Sequence, residues 1–191
     1  MDGMSPTAEP DLVHTLPRRK FTGADVERMI ETGILTDEDR VELIGGDLID
    51  MGKQGKPHWR SVARIVAWIQ RRLPPHLIVA SQGPLRLAPF EEPEPDGFIY
   101  PDAMDVNDVK GPDTLLVIEV ADSSLIKDTK IKAPQYARHG VREYWIVDIS
   151  SRVTLVHRLI DEIYAKPTPI PFTAELTVPA IPEPLVLDKP V

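Results

Sequence analysis

The segment Leu115–Ala121 reads LLVIEVA and decides the fold class of this chain of 191 residues. Its nearly continuous apolar run is typical of a central β-strand that is buried on both faces. Glu119 interrupts the run, and an isolated carboxylate in such surroundings costs several kcal/mol unless it is paired, bound to a metal or neutralised. A second carboxylate, Asp96, opens another strand-like segment with the sequence DGFIY. The two residues predict a polar site shared by neighbouring strands.

Helices and strands are predicted on both sides of this strand. A capped helix is expected over 21–33, followed by a hairpin that turns at Gly45-Gly46. Apolar residues at helical spacing predict a helix over 58–73, and a third helix is predicted over 128–139, where Gly140 ends it. Further strands are expected as two runs around 82–84, one at 96–100, and a hairpin split by Ser150-Ser151.

The order of these elements predicts the fold class and the domain organisation. We expect a flexible N-terminal arm over 1–18 and a single domain over 19–191. Prolines become frequent from about residue 166, which favours an edge strand and extended chain there. Helices interspersed with strands and hairpins predict an α/β domain with a mixed central β-sheet flanked by helices.

The composition excludes several kinds of site and protein. The chain contains no cysteine, which rules out disulfides, thiolate zinc sites and cysteine nucleophiles. Its five histidines show no HExxH or other zinc spacing, so we expect no zinc. No apolar run approaches the length of a membrane span, and the first residues contain no signal-like apolar core. We therefore expect a cytoplasmic protein that makes no membrane contact.

The formal net charge of −8 offers no general attraction to nucleic acid, so such binding requires a local basic patch or a metal. Trp59, Trp68 and Trp145 are interpreted as core or interface residues. Basic residues cluster around the start of the second helix and around the third helix. If both clusters flank one cleft they could hold a phosphate backbone; if they are spread out, they are ordinary solubilising charge. The clusters are Lys53, Lys56, Arg60 and Arg64, and Lys127, Lys130, Lys132, Arg138 and Arg142.

The two strand carboxylates suit a hard cation. Asp96, Glu119 and a backbone carbonyl such as that of Val120 would form an oxygen cage for Mg²⁺. Such a metal activates water and neutralises charge on a phosphate, and a nearby lysine can orient the water. Lys132 follows Asp128 by four residues, which puts both on one face of the third helix. This combination is the chemistry of phosphodiester hydrolysis.

Simpler interpretations of the same residues stay open. Glu119 could form a structural ion pair with an arginine or lysine, and Asp96 after a proline is often only a turn residue. Lys132 could be an ordinary solvated lysine, and Glu42 could simply flank the hairpin.

Several motifs carry a resemblance to a known family. They are RVELIGGDLIDM at 40–51, GKPHW at 55–59, EPEPD at 92–96, VIEVADSSL at 117–125 and the long block KDTKIKAPQYARHGVREYWIVDI at 127–149. This pattern resembles the Uma2 family of endonucleases, which is assigned to the PD-(D/E)XK nuclease superfamily. The resemblance covers roughly 21–159, and the length of the last block makes a chance match improbable.

The resemblance implies a restriction-endonuclease-like core and a Mg²⁺-dependent endonuclease, with Mn²⁺ as a substitute, that cuts DNA. Asp96 matches the aspartate of the Pro-Asp motif, and Glu119 matches the acidic residue of the second half-motif. Position 121 is alanine where the superfamily usually has lysine, and Lys132 on the next helix takes its place. Glu42 matches an early glutamate that is a further metal or water ligand. The matching positions expected around the site are His58, Asp128 and Tyr136.

The resemblance also implies, by analogy, a homodimer. Two other functions stay open. A catalytically inactive module that binds nucleic acid or protein could keep the fold, and a metal-dependent phosphoesterase could act on RNA or on a small phosphate ester. A continuous basic channel leading to Asp96 and Glu119 would favour DNA, and a small closed acidic pocket would favour a small substrate.

Overall fold

The computed structural model describes residues 16–36 and 38–189. The predicted N-terminal arm over 1–18 lies almost entirely outside these residues. Within the described chain, no helix has the length and apolar character needed to cross a membrane.

Two β-sheets and a few helices make up the described chain. The helices are α1 (Gly23–Glu31), α2 (Lys56–Gln70), α3 (Leu125–Lys127) and α4 (Ala133–Arg138), with a π-helical turn (Asp128–Lys132) between the last two. The strands are β1 (Val41–Ile44), β2 (Asp47–Asp50), β3 (Leu77–Ala80), β4 (Gly97–Pro101), β5 (Leu116–Ala121), β6 (Glu143–Asp148), β7 (Val153–Ile160), β8 (Ile163–Tyr164) and β9 (Thr168–Pro171).

The large sheet has seven strands in the order β3-β4-β5-β6-β7-β8, and β9 pairs with the other end of β7. β5 and β6 run parallel, whereas the other pairs in this sheet are antiparallel. β1 and β2 form a separate two-stranded hairpin. Because helices flank this mixed sheet, the predicted fold class is confirmed.

All six residues of β5 are buried, as the apolar run predicts. Its side chains alternate between two cores, since neighbouring residues of a strand point to opposite faces. Ile118 and Val120 pack in the core that contains the buried face of α2. Val117 and Ala121 pack in the core that contains residues of α4. Glu119 therefore points to the α4 side of the sheet.

Local sequence signals explain the first helix and the first hairpin. Thr22 caps α1 and forms a capping box with Asp25, in which each side chain accepts a hydrogen bond from the other residue's backbone N–H. Gly45 and Gly46 have positive φ angles of 57° and 77°, which a tight hairpin turn of this type requires. Both predictions are confirmed.

The third helix is longer and less regular than predicted. It starts at Leu125 instead of Asp128, and its middle turn is π-helical: the N–H of Ala133 donates to the carbonyl of Asp128, five residues earlier. Pro134 lies in the first turn of α4. Because proline has no N–H to donate, the regular ladder cannot pass through it, and the wider turn takes up the mismatch.

The prediction of a second strand after residue 82 is wrong. Instead, the chain reverses direction between residues 85 and 93. The N–H of Leu85 donates to the carbonyl of Pro93, and the N–H of Leu87 donates to the carbonyl of Glu91. Ala88 and Glu91 form only an isolated bridge. Pro84 and Pro89 bracket the segment, and because they lack donors a longer ladder cannot form.

The C-terminal segment completes the core that α2 covers. β9 pairs antiparallel with β7 along its first half. Beyond β9, four apolar side chains pack into this core: Leu176, Val178, Ile181 and Leu185.

Candidate active site

The buried Glu119 is held by two donors from the segment that follows β5. Lys132 Nζ lies 2.7 Å from Glu119 Oε1, and the hydroxyl of Tyr136 donates to the same oxygen at 2.9 Å. The second carboxylate oxygen, Oε2, makes no hydrogen bond to any described residue. An ion pair with a buried lysine therefore stabilises this carboxylate in the apolar sheet.

Lys132 is itself paired twice. Its side chain is 1% exposed, and its ammonium contacts Glu42 as well as Glu119. Glu42 is fully buried and also accepts from Lys127 at 3.1 Å and from the backbone N–H of Glu94 at 3.1 Å. We call Glu42, Lys132 and Glu119 the buried triad. Glu42 thus lies behind the lysine, where it is saturated with donors.

Asp96 replaces a missing strand partner. The pairing of β4 with β5 ends at Gly97 and Ile118. The backbone N–H of Val120, two residues further along β5, therefore has no backbone acceptor on β4. Asp96 Oδ2 accepts this N–H at 2.7 Å and lies 3.1 Å from His58 Nε2. Asp96 Oδ1 has a single long contact, 3.5 Å to the amide of Gln54. One oxygen of Asp96 is therefore fixed and the other is nearly free.

A cleft of about 90 Å³ opens in front of these groups. Asp128 lies at its edge and accepts from the hydroxyl of Ser124 at 2.5 Å. Tyr136 and Glu42 do not line the cleft but lie behind it. The sequence-predicted residues that line it are His58, Asp96, Glu119, Val120, Asp128 and Lys132.

Carboxylates outnumber ammonium groups here. Burial raises the pKa of Glu119 well above its usual value, and the charges of Asp96 and Asp128 raise it further, although Lys132 opposes them. Burial likewise raises the pKa of Asp128. The pKa of Glu42 is lowered, because the lysine ammonium groups next to it outweigh its burial. With Asp122 and Lys53, which also line the cleft, the site combines five carboxyl groups with three lysines, and this excess favours a cation.

Lys132 stays protonated at neutral pH. Burial alone would lower the pKa of Lys132, but the carboxylates of Glu119 and Glu42 outweigh it and raise the pKa above its usual value. The lysine therefore supplies a fixed positive charge and hydrogen-bond donors, and it cannot accept a proton from water.

The donor set fits Mg²⁺, although the described residues contain no ready-made cluster of three histidine, aspartate or glutamate ligands. Asp96 and Glu119 each present one free or nearly free oxygen, and Val120 lines the same cleft. Mg²⁺ in phosphoryl-transfer sites is held by one or two carboxylates and completes its shell with water and substrate oxygens. The cleft has room for a few waters beside an ion.

Gln54 and Ser124 were not predicted as residues of the site, and Lys127 was predicted only as part of a basic cluster. Gln54 precedes α2 and reaches Asp96 across 42 residues of chain, and Lys127 reaches Glu42 across 85. No local pattern predicts such contacts. Ser124 lies four residues before Asp128, so helical spacing could have identified that pair.

Comparisons with known proteins bear on the family and the fold of the chain. The model of the Uma2 family, described as a putative restriction endonuclease, matches residues 24–188. The crystal structure of a putative nuclease belonging to DUF820 from Anabaena variabilis ATCC 29413 is similar, with a TM-score of 0.67 and 17% sequence identity. The similarity covers 83% of this chain and 89% of that one, and it establishes the shared fold. A search of curated proteins finds no match.

Proposed function

Because the chain belongs to the Uma2 family of putative restriction endonucleases, we propose that it is a Mg²⁺-dependent endonuclease that hydrolyses DNA phosphodiester bonds. One observation carries the proposal. Asp96 and Glu119 turn free oxygens into a single cleft in which carboxyl groups outnumber lysines, and burial together with the charges of Asp96 and Asp128 raises the pKa of Glu119. A divalent cation would offset this excess of negative charge.

Asp96, Glu119 and the carbonyl of Val120 would hold the metal. When bound there, Mg²⁺ would lower the pKa of a coordinated water and neutralise charge on the phosphate. Hydrogen bonds from neighbouring groups orient the two carboxylates. His58 and the N–H of Val120 contact Asp96, and the hydroxyl of Tyr136 donates to Glu119. Each ligand therefore keeps one oxygen directed by the protein and one available in the cleft.

Lys132 would act as a donor and a charge. Its ammonium lines the cleft, and it would donate a hydrogen bond to the attacking water or to a phosphate oxygen. Glu42 would hold the lysine in place and not bind the metal, since its carboxylate already accepts from two lysines and a backbone N–H. Asp128 lies at the edge of the cleft, where it would accept from a metal-bound water.

Nicking of supercoiled plasmid tests the proposal. Wild type should nick with Mg²⁺ or Mn²⁺ and not in EDTA, and Asp96→Asn and Glu119→Gln should each lower the rate at least a hundredfold. Asp102→Asn, an exposed aspartate away from the cleft, is the matched control and should nick like wild type. Cleavage in EDTA, or full activity in both site variants, would refute the assignment. Light scattering on the same samples tests the predicted homodimer.

A second candidate is a binding module without activity. The absence of a three-ligand cluster among the described residues, and the doubly paired Lys132, favour it. Under this alternative, wild type neither cleaves nor binds Mg²⁺ in calorimetry but still binds oligonucleotides. Metal binding without cleavage of DNA would instead indicate RNA or a small phosphate ester as the substrate.

A further inference from the structure

The charge of this acidic chain is unevenly distributed. Residues 51–90 contain seven lysines and arginines and no aspartate or glutamate, whereas the whole chain has a net charge of −8. α2 lies within this segment, and its first turn borders the cleft through His58. A local positive surface therefore begins beside the candidate active site.

The basic residues of α2 and of its C-cap form one stripe. Lys56, Arg60, Arg64 and Arg71 are spaced by four, four and seven residues, which places them within about 80° of one another around a helix. The opposite face of α2 is buried in the core. We call these four residues the α2 stripe. It spans about 22 Å along the helix, which corresponds to roughly six nucleotides of a stacked strand.

The stripe is not neutralised by carboxylates. Among the described residues, Lys56, Arg60 and Arg71 form no ion pair, and Arg64 donates only to the backbone carbonyl of Lys189 at 2.7 Å. Arg72, next to the stripe, shows the contrast, because it pairs with Glu183. Exposed arginines without a carboxylate are available to phosphates.

Concave surfaces lie on both sides of the stripe. One is a cleft of about 580 Å³ whose floor includes Val147, Ile149 and Phe172, with Arg60 and Arg64 on its rim. The other is a groove of about 570 Å³ over Ala63 and Ala67. Both volumes are in the range of small-molecule sites. Asp188 also lines both surfaces, but it pairs with Arg152 and leaves the stripe itself unpaired. Apolar floors below predominantly basic rims match the two parts of a nucleotide, which are a base and a phosphate.

Trp59 stands at the end of the second groove. Its side chain is 62% exposed, so of the two predicted settings, core or interface, the core is wrong for this residue. Trp68, on the other side of α2, and Trp145 are both buried as predicted. An exposed indole beside unpaired arginines is an arrangement on which a base can stack.

We propose that the α2 stripe and its two flanking grooves bind a single strand of nucleic acid and lead it to the cleft of Asp96 and Glu119. The stripe would hold phosphates, while Trp59 and the apolar floor beside Phe172 would contact bases. Charge complementarity selects nucleic acid, and the exposed indole and apolar floors select a single strand, because the bases of a duplex face inward. This inference rests on the proposed nuclease function for its substrate, but it is tested by binding alone.

Fluorescence anisotropy in EDTA, with a labelled oligothymidine of about 15 nucleotides, measures this binding without cleavage. All variants carry Asp96→Asn as a further safeguard. Arg60→Gln with Arg71→Gln should weaken binding tenfold or more and reduce the salt slope of log K by about 1.4, for two phosphate contacts. Trp59→Ala should weaken binding roughly five- to a hundredfold. An unlabelled duplex of equal length should compete more weakly than the strand.

Arg138→Gln with Arg142→Gln is the matched control. These two arginines are also exposed and without ion pairs among the described residues. Arg138 ends α4 and Arg142 directly precedes β6, at the opposite end of that strand from the cleft. The control should bind within twofold of its parent. Equal weakening by both pairs would overturn the proposal, as would a duplex that competes better and binds independently of Trp59. A change of mass in light scattering for Trp59→Ala, with binding intact, would instead identify an interface between copies.

The two proposals fail separately. Plasmid cleavage that persists while strand binding ignores the stripe refutes only the strand-binding proposal. Stripe-dependent binding without metal-dependent cleavage refutes only the nuclease mechanism.

Discussion

Replacing Lys132 by methionine tests whether the buried triad is held together by its central charge. Methionine keeps most of the volume of the lysine stem but removes the ammonium. Glu42, which is 0% exposed, and Glu119, which is 5% exposed, then face each other without their common partner. Two buried carboxylates are left undercompensated, which is the costly way to break a buried ion pair.

The expected loss follows from these contacts. Removing one partner of a buried ion pair costs about 3–5 kcal/mol. Lys127 lies 3.1 Å from Glu42 and still compensates part of that charge, which favours the lower end. For a chain of 191 residues, this corresponds to a fall in Tm on the order of 6–20 °C.

Urea unfolding followed by circular dichroism measures this loss at pH 7 and at pH 5. Burial raises the pKa of Glu119, so in Lys132→Met this carboxyl takes up a proton more readily in the folded state than in the unfolded one. The stability that protonation of Glu119 contributes is complete below the pKa of the unfolded state and is lost as pH rises through the pKa of the folded state. The loss in free energy of unfolding of Lys132→Met relative to wild type should therefore be smaller at pH 5 than at pH 7.

Lys130→Met is the matched control, since this lysine lies in the same π-helical turn but is exposed. It should change the free energy of unfolding by less than about 0.5 kcal/mol. A loss of less than about 1 kcal/mol in Lys132→Met at pH 7 would show that the two glutamates are already neutral or hydrated, and the account of the triad would be wrong.

Three further changes test other parts of the structure. Tyr136→Phe removes a donor 2.9 Å from Glu119 and should cost about 1–3 kcal/mol in urea unfolding, whereas an unchanged midpoint would show that the hydroxyl is dispensable. Burial lowers the pKa of His157, so the stability that its neutral form contributes is complete above about pH 6.5 and is lost as pH falls toward the folded pKa. Below pH 6.5, the Tm of His157→Leu should therefore rise relative to that of wild type. A Tm difference that does not change with pH would contradict this. Gly111→Ala would put a methyl group 1.9 Å from a backbone carbonyl oxygen and should cost about 2 kcal/mol or more, while Gly83→Ala, which meets nothing within 4 Å, should cost much less; equal unfolding midpoints would refute the close approach.

Local patterns predicted the elements whose residues interact with near neighbours. The burial of β5 follows from its apolar run, and the hairpin at Gly45 follows from two adjacent glycines. Residues 84–89 show the limit of such patterns, because alternating apolar residues there looked like a strand while the flanking prolines removed the donors that a ladder needs. The missing backbone N–H donors therefore outweighed the alternation of apolar side chains.

The candidate site was predictable by residue type but not by pairing. Asp96, Glu119 and Lys132 were identified from motifs, and the structure brings all three to one cleft. That Lys132 would neutralise Glu42, and that Lys127 would join it, depends on contacts across some 85–90 residues of chain, about which local spacing carries no information. The π-helical turn was likewise hidden, although Pro134 marked its position.

The π-helical turn makes the length of its segment as important as its composition. It adds one residue to an otherwise continuous helical path, so the parts before and after it are out of angular phase by about 100° compared with a regular helix. Deleting a single residue such as Ile131 would restore the regular repeat and rotate either Lys132 or the start of the segment away from β5. A related sequence that keeps every side chain of the site but lacks this additional residue would therefore not form the same arrangement of charges. In an alignment, the number of residues in this segment matters as much as their identity.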